Sequence, residues 1–319
     1  MKPIIPLAAR TEYSFRKTFG FVSDLPNHAV NECIGIADIN NTFGYHEFLS
    51  ACEDKKVKPI LGVRLSVWPN LEKSRLYIGP EYIFIAKNQL GLEEIYDLIF
   101  EAHENFYYAP RVDIDLVRNL SENVVVIAEN FFDDERLDYI ALTQTTSPII
   151  ASIEQIPKVY ISNNSFTHPT DRAVYELMAG SRKDGKGNGF KYNFESQTYP
   201  QHILSSEEHF LQWGNKEAIE NTYRIADSIE HFEIRSAPMV KYKGQLDMRE
   251  MCIQGAAEKG IDLFDEVYAE RLDYELRLIE EKNYMDYFLV VADMIRTAKK
   301  QMLVGPARGS SAGSLVCYL

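Results

Sequence analysis

The sequence predicts an α/β protein: a β/α barrel or doubly wound sheet over roughly the first three quarters, then a mainly helical region. Three observations predict it. Between Ile34 and Ile161, short β-rich runs alternate with helical patterns. The runs are apolar throughout, as in strands buried on both faces of a parallel sheet. The alternation then stops at residues 236–244, where Pro238 and Gly244 break the periodicity. That break is the expected boundary between a first domain, residues 1–240, and a second, residues 241–319.

Taken in order, the strand candidates are residues 34–37, 60–63, 82–86, 124–128, 149–151 and 159–162, with helices at 45–56 and 92–104 between them. Barrel enzymes carry their chemistry at the C-terminal ends of strands, so ligands are sought there. Residues 181–199 combine Gly185, Gly187 and Gly189 with Lys, Asp and Asn and show no apolar period. They read as a solvated surface loop, with a nucleic-acid contact as the alternative. Ser205 followed by Glu208 is a capping box for the next helix, and another is expected over 216–231. Beyond the break, residues 248–259 are helical, and Tyr268, Leu272, Leu276 and Ile279 share one face of a charged helix. Residues 287–295 are apolar nearly all round and predict a buried helix, with Lys299 and Lys300 complementing its C-terminal dipole.

Composition narrows the function. Lys and Arg number 34 against 47 Asp and Glu, a net charge of −13. Such a surface does not lie broadly on a phosphate backbone, so any DNA contact is local. Cys33, Cys52, Cys252 and Cys317 lack zinc spacing, lie in apolar runs, and read as reduced core thiols. No apolar run is long enough to span a membrane, and Met1-Lys-Pro opens into mixed sequence without a leader. The expectation is a cytoplasmic protein without a membrane partner.

Residues 302–319 read as a short strand, a glycine-serine turn and the start of an apolar helix. Gly305, Gly309 and Gly313 let a ligand approach the backbone, and Ser310 and Ser311 are placed to cap the helix whose N-terminus attracts phosphate. Arg308 adds a charged fork. No Lys-Ser or Lys-Thr follows the glycines, which disfavours a Walker-type ATPase. Many strand-to-helix turns carry Gly and Ser for packing alone, and spacing does not decide between the two.

Two stretches carry a family resemblance. Tyr287-Phe-Leu-Val-Val followed by Val304-Gly-Pro-Ala-Arg-Gly-Ser-Ser-Ala-Gly-Ser-Leu-Val resembles the start of the palm in C-family DNA polymerases, the bacterial polymerase III alpha subunits. The resemblance implies that Arg308, Gly309, Ser310 and Ser314 contact the triphosphate of an incoming dNTP. Ala307 departs from the family's usual Gly. Upstream, Ala37-Asp-Ile-Asn-Asn-Thr-Phe-Gly-Tyr-His-Glu-Phe, Lys58-Pro-Ile-Leu-Gly-Val, Ala86-Lys-Asn-Gln-Leu-Gly-Leu, Ile161-Ser-Asn-Asn and Leu204-Ser-Ser-Glu-Glu resemble the PHP (polymerase and histidinol phosphatase) domain of these subunits. The implied fold is a PHP-type distorted β/α barrel followed by the helical start of the palm. The fit is weakest between about 105 and 155, where the domain looks short.

Active PHP domains bind metals through His, Asp and Glu residues at strand ends. Aligned on that pattern, Ala8 and Arg10 take the first His pair, and Lys17 falls near an Asp. Ile39 and Arg64 replace a His and a Glu, and Asn164 and Phe166 replace the late Asp and His. Asp38 alone survives. A cationic Arg in the pocket repels a divalent ion, so no metal is expected. His28, His46, His103, His168, His202, His209 and His231 are scattered along the sequence, with no pair at ligand spacing.

Two-metal nucleotidyl transfer needs paired acids near the triphosphate, and none follows the loop before Leu319. The chain alone is therefore expected to be catalytically silent and prone to association. It would act as a segment of a DNA-directed DNA polymerase, a nucleotidyltransferase of DNA replication. The complete enzyme would use Mg2+, primer-template DNA, dNTP and other replication proteins. A non-catalytic scaffold derived from that polymerase is the second reading, and an active metal phosphoesterase or exonuclease the third. Lost ligands and a shortened barrel suggest a diverged lineage, such as a phage-encoded one.

Overall fold

The computed structural model describes residues 2–71, 79–131, 135–180, 199–231, 233–234, 237–305 and 309–319. The predicted loop at 181–199 thus falls, except for Tyr199, outside the described residues, as do Ala307 and Arg308. The chain divides into two compact units, Met1–Ile234 and Arg235–Leu319.

The first unit is built on one mixed sheet. Its strands are β1 (Cys33–Ile39), β2 (Lys58–Trp68), β3 (Glu81–Ala86), β4 (Val112–Asp113), β5 (Val124–Ala128), β6 (Tyr139–Leu142) and β7 (Lys158–Tyr160). They run in the order β1-β2-β3-β5-β6-β7, with β4 beside the far end of β2. The apolar runs pointed to parallel pairing, and β1–β2, β5–β6 and β6–β7 are parallel. β3, however, is antiparallel to both β2 and β5. A strand buried on both faces is apolar throughout whichever way it runs, so composition does not reveal direction.

The N-terminal segment curls the sheet. Ala9 pairs with Ile36 of β1, while Phe19 pairs with Phe166, just past β7. Gly35 makes the first contact possible: a Cβ there would lie 1.7 Å from the Leu7 carbonyl oxygen. β5 is buried at every position and β1 at all but Ile39. At roughly 1.5–3 kcal/mol per buried Val, Ile or Phe, these strands supply much of the driving force.

Helices α1 (Tyr45–Lys55) and α2 (Gln89–Glu104) fall where predicted, and α3 (Ile114–Arg118) follows β4. Residues 149–151, expected as a strand, belong instead to a short helix, α4 (Pro148–Ala151). Ser147 caps it by accepting from the Ile150 amide, and Pro148 occupies the first turn, where its missing N–H costs nothing. The strand in this region is β6, too short and too weakly patterned to stand out. α5 (Arg172–Gly180), α6 (Ser206–Trp213) and α7 (Lys216–Ser228) complete the unit. The capping box at Ser205 and Glu208 forms as expected.

The second unit contains α8 (Met248–Lys259), α9 (Glu266–Glu281), α10 (Met285–Lys299) and α11 (Leu315–Tyr318). Its core joins Met248, Cys252, Leu272, Leu276, Leu289 and Val316. α10 departs from expectation, because Leu289 is its one buried residue and Tyr287 and Met294 are exposed. An apolar circumference needs neighbours on every side, and α8, α9 and α11 cover one face. No strand forms at 302–304, where Leu303 is fully exposed and no ladder partner stands beside it among the described residues. Cys33, Cys52 and Cys252 are buried, and burial pushes the Cys33 thiol up to about 11 and Cys52 to about 12. Cys317 is exposed, contrary to its apolar sequence setting.

Candidate functional site

Two candidate sites emerge, one in each unit. In the first, the curled sheet gathers most of the positions that the PHP resemblance assigned to metal ligands. Arg64, from the middle of β2, is 1% exposed and spends its whole guanidinium fork on the protein. Its Nε donates to the Ala37 carbonyl at 3.1 Å. Its Nη1 donates to Glu81 Oε1 at 3.1 Å and Asn163 Oδ1 at 2.8 Å. Its Nη2 donates to the Ala8 and Ser162 carbonyls at 2.7 and 3.4 Å.

Arg10 and Asn164 form a reciprocal pair. The Asn164 amide accepts from the Arg10 N–H and donates to the Arg10 carbonyl, both at 2.9 Å, while Arg10 Nε donates to the Asn164 carbonyl at 2.8 Å. A carboxylate at 164 could not donate, so Asn is fitted to this contact. Burial and the neighbouring Arg64 push the Arg10 guanidinium down to about 10.

Asp38 is buried, and its oxygens accept from the Thr11 amide and hydroxyl, each at 2.7 Å, and from the Ser14 hydroxyl at 2.5 Å. Burial raises its carboxyl above the ordinary value, while these hydrogen bonds and Arg64 pull the other way. Ala8 is buried, Lys17 points to solvent, Ile39 is partly buried, and Phe166 is buried with its ring 5.7 Å from that of Tyr175. One carboxylate committed to the Thr11 amide and the Thr11 and Ser14 hydroxyls, facing two arginines, does not suit a divalent cation. The donor set does not fit the metals that the PHP fold family implies.

The histidines scattered in sequence are not all scattered in space. His28 and His168 bring their ring centroids to 4.4 Å, and burial together with His168 lowers His28. His209 is buried, its Nε2 lies 3.1 Å from Ser162 Oγ, and burial lowers it to about 4. In the sequence, an Arg inside the apolar run of β2 was the available sign of a buried cation network. The partners Glu81 and Asn163 left no signal.

The second candidate is the glycine-serine turn. Gly309 adopts φ 88° and ψ −156°, a region open essentially to Gly alone, and starts a tight turn over Ser310–Gly313. The Ala312 amide closes it on the Gly309 carbonyl at 3.2 Å. Ser310 is exposed. Among the described residues, a Cβ built at Gly305, Gly309 or Gly313 meets no atom within 4 Å. Ser310 and Ser311 do not cap the helix. That role falls to Ser314, whose Oγ accepts from the Cys317 amide at 3.1 Å.

The start of α11 already holds an anion that sequence reasoning missed. Glu275, from α9, accepts from Ser314 Oγ at 2.7 Å, from the Val316 amide at 2.9 Å and from the Leu315 amide at 3.2 Å. Arg271 closes the cluster at 2.6 Å. These bonds hold the carboxyl below the usual range against the opposing effect of burial. Ser314 is therefore engaged on both sides, while Gly309 and Ser310 face outward. Glu275 looked like one more charge on a charged helix.

A curled mixed sheet, followed in the chain by a helical unit that carries an open Gly-Ser turn, is an α/β arrangement of the PHP class. Residues 7–167 match the family described as PHP domain, and residues 247–319 match the bacterial DNA polymerase III alpha NTPase domain. The chain belongs to the PHP-domain family, in the form joined to the polymerase III alpha NTPase domain. It is 28% identical to the DNA polymerase III subunit alpha of Staphylococcus aureus over 98% of this chain and 30% of that protein. The Aquifex aeolicus subunit is 27% identical over 90% of this chain and 30% of its own length. The chain thus spans a little under a third of these relatives. A solved metal-dependent phosphoesterase from Bifidobacterium adolescentis covers 49% of this chain and is covered to 85%, at 11% identity and a TM-score of 0.37, too slight a likeness to argue from. No described helix is long and apolar enough to cross a membrane.

Proposed function

We propose that this chain is a segment of a DNA-directed DNA polymerase of the polymerase III alpha type, and that its Gly-Ser turn binds the triphosphate of an incoming deoxynucleotide. The observation that carries the reading is the turn itself. Gly309 takes a glycine-only conformation, and the glycines around it leave open space where a phosphate would approach. Gly309 and Ser310 would cradle phosphate oxygens, and Arg308, outside the described residues, would supply the charged fork. Ser314 supports the turn by anchoring Glu275 rather than by touching nucleotide. Primer-template DNA and other replication proteins are the partners of this reading, and Mg2+ the ion of the complete enzyme.

Titration with a fluorescent dATP analogue and Mg2+ tests it. Arg308→Ala and Gly309→Val should each weaken binding about tenfold or more, the cost of losing a charge-assisted contact or the backbone that makes it. Unchanged affinity in both variants would overturn the assignment. Primer extension by a longer protein carrying this chain tests the activity.

For the first unit we propose a structural, metal-free role, with the Arg64 guanidinium taking the cation's place. The argument is electrostatic: its fixed positive charge and that of Arg10 repel a divalent ion. Stoichiometric zinc or manganese retained after dialysis would refute it.

A further inference from the structure

The surviving ligand-type residue, Asp38, now holds up a loop. Its three hydrogen bonds fix Thr11 and Ser14, and Ser14 Oγ in turn accepts from the Ile39 amide at 3.1 Å. The Lys17 and Thr18 amides return to the Ser14 carbonyl, and the Phe19 amide crosses to Ser165. Arg16, at the tip, has φ 58°, a costly conformation for a long side chain that persists only when its surroundings impose it.

That rigid loop displays aromatic rings and cations side by side. Phe15 is 62% exposed and Phe43, from the loop after β1, is 66% exposed. Their centroids lie 6.1 Å apart, and Tyr13 backs Phe15 at 6.4 Å. Asn41 ties the two loops together, donating to the Tyr13 carbonyl at 2.8 Å and accepting from the Phe43 amide at 3.1 Å. Arg16 and Lys17 are exposed and have no acidic partner among the described residues. Two carboxylates nearby each accept one hydrogen bond: Glu47 from the Tyr13 hydroxyl at 3.2 Å, and Glu12 Oε1 from the Val22 amide at 3.2 Å.

We propose that this rim is a platform for a single-stranded nucleic acid, with bases stacking on Phe15 and Phe43 and phosphates on Arg16 and Lys17. Exposed aromatic faces accept any base, and adjacent cations track a backbone, which is how sequence-tolerant single-strand sites are built. Unpaired cations beside large exposed rings, on a chain of net charge −13, select an anionic partner with flat apolar faces. An anion lacking bases leaves the rings unused, and an apolar partner leaves the cations unused.

The proposal is independent of the nucleotide turn. The test is fluorescence anisotropy of a labelled oligo-dT of about fifteen nucleotides with the 319-residue chain across a salt series. Phe15→Ala with Phe43→Ala should weaken binding about tenfold or more. Arg16→Glu with Lys17→Glu should reduce the slope of log affinity against log salt by about 1.4, the share of two phosphates on a single strand. Lys299→Glu with Lys300→Glu, cations in the second unit, should leave binding unchanged. Phe15, Arg16, Lys17, Phe43, Lys299 and Lys300 are exposed, so thermal melting should match the parent. No binding at low salt, full affinity in the Phe pair, or competition by inorganic polyphosphate as effective as by the oligonucleotide would each overturn the platform.

Discussion

In the first unit Gly35 is packed so closely that a Cβ would sit 1.7 Å from a backbone oxygen, whereas in the second a Cβ at Gly305 meets no described atom within 4 Å. Their charged clusters differ in the same way. Arg64 and Asp38 are buried and turned inward, each satisfied by backbone and side-chain groups of the protein itself. The Gly-Ser turn keeps only the start of α11 for itself, where Glu275 supplies the anion, and leaves Gly309 and Ser310 exposed. A site that has become architecture uses up its polar groups internally, while a site that still serves a ligand leaves some of its surface unspent. By that criterion the pocket of the first unit spends its polar groups on the protein itself, whereas the rim and the turn leave theirs open.

Arg64→Leu breaks the comparison at its strongest point. The carbonyls of Ala8 and Ala37 lose their donor and Glu81 its cation, so unfolding free energy in urea should fall by about 3–5 kcal/mol. If the variant is as stable as the parent, Arg64 is not architectural.

His209 gives the next largest effect. Its folded value of about 4 lies below the ordinary 6.5, so the folded state binds this proton less readily than the unfolded chain. Its contribution is full above pH 6.5 and is lost as pH falls through 4, about 3 kcal/mol in all. His209→Gln should flatten that part of the pH–stability profile, measured by denaturant titration at successive pH values.

Glu275→Ala sharpens the comparison within the second unit. Losing hydrogen bonds to a charged acceptor should cost about 2 kcal/mol, and amide exchange at Leu315 and Val316 should accelerate. Gly305→Ala stands at the small end. With nothing in the way, it should change stability by less than about 0.5 kcal/mol, whereas Gly35→Ala should cost about 1–3 kcal/mol or more.

The helices and most strands were legible because local chemistry marks them: the capping box at Ser205 and Glu208, the apolar runs of β3 and β5, the one-face spacing of Leu272 and Leu276. The run at 149–151 misled because a run of three apolar residues fits strand or helix alike, and Ser147 with Pro148 decided for helix. The family resemblance pointed to Arg10, Arg64 and Asn164, and the structure brings the three together with Asp38.

By itself, the sequence determined an α/β region followed by a helical one and the glycine-serine turn, because each is written in neighbouring residues. Only the tertiary structure decided what faces what: β3 running antiparallel, Glu275 reaching the start of α11 from 40 positions away, the His28 ring tilted against that of His168, and Phe15 beside Phe43 on one rim. Those relations depend on how the sheet curls and where loops close, and packing over long sequence separations settles both without leaving a local pattern.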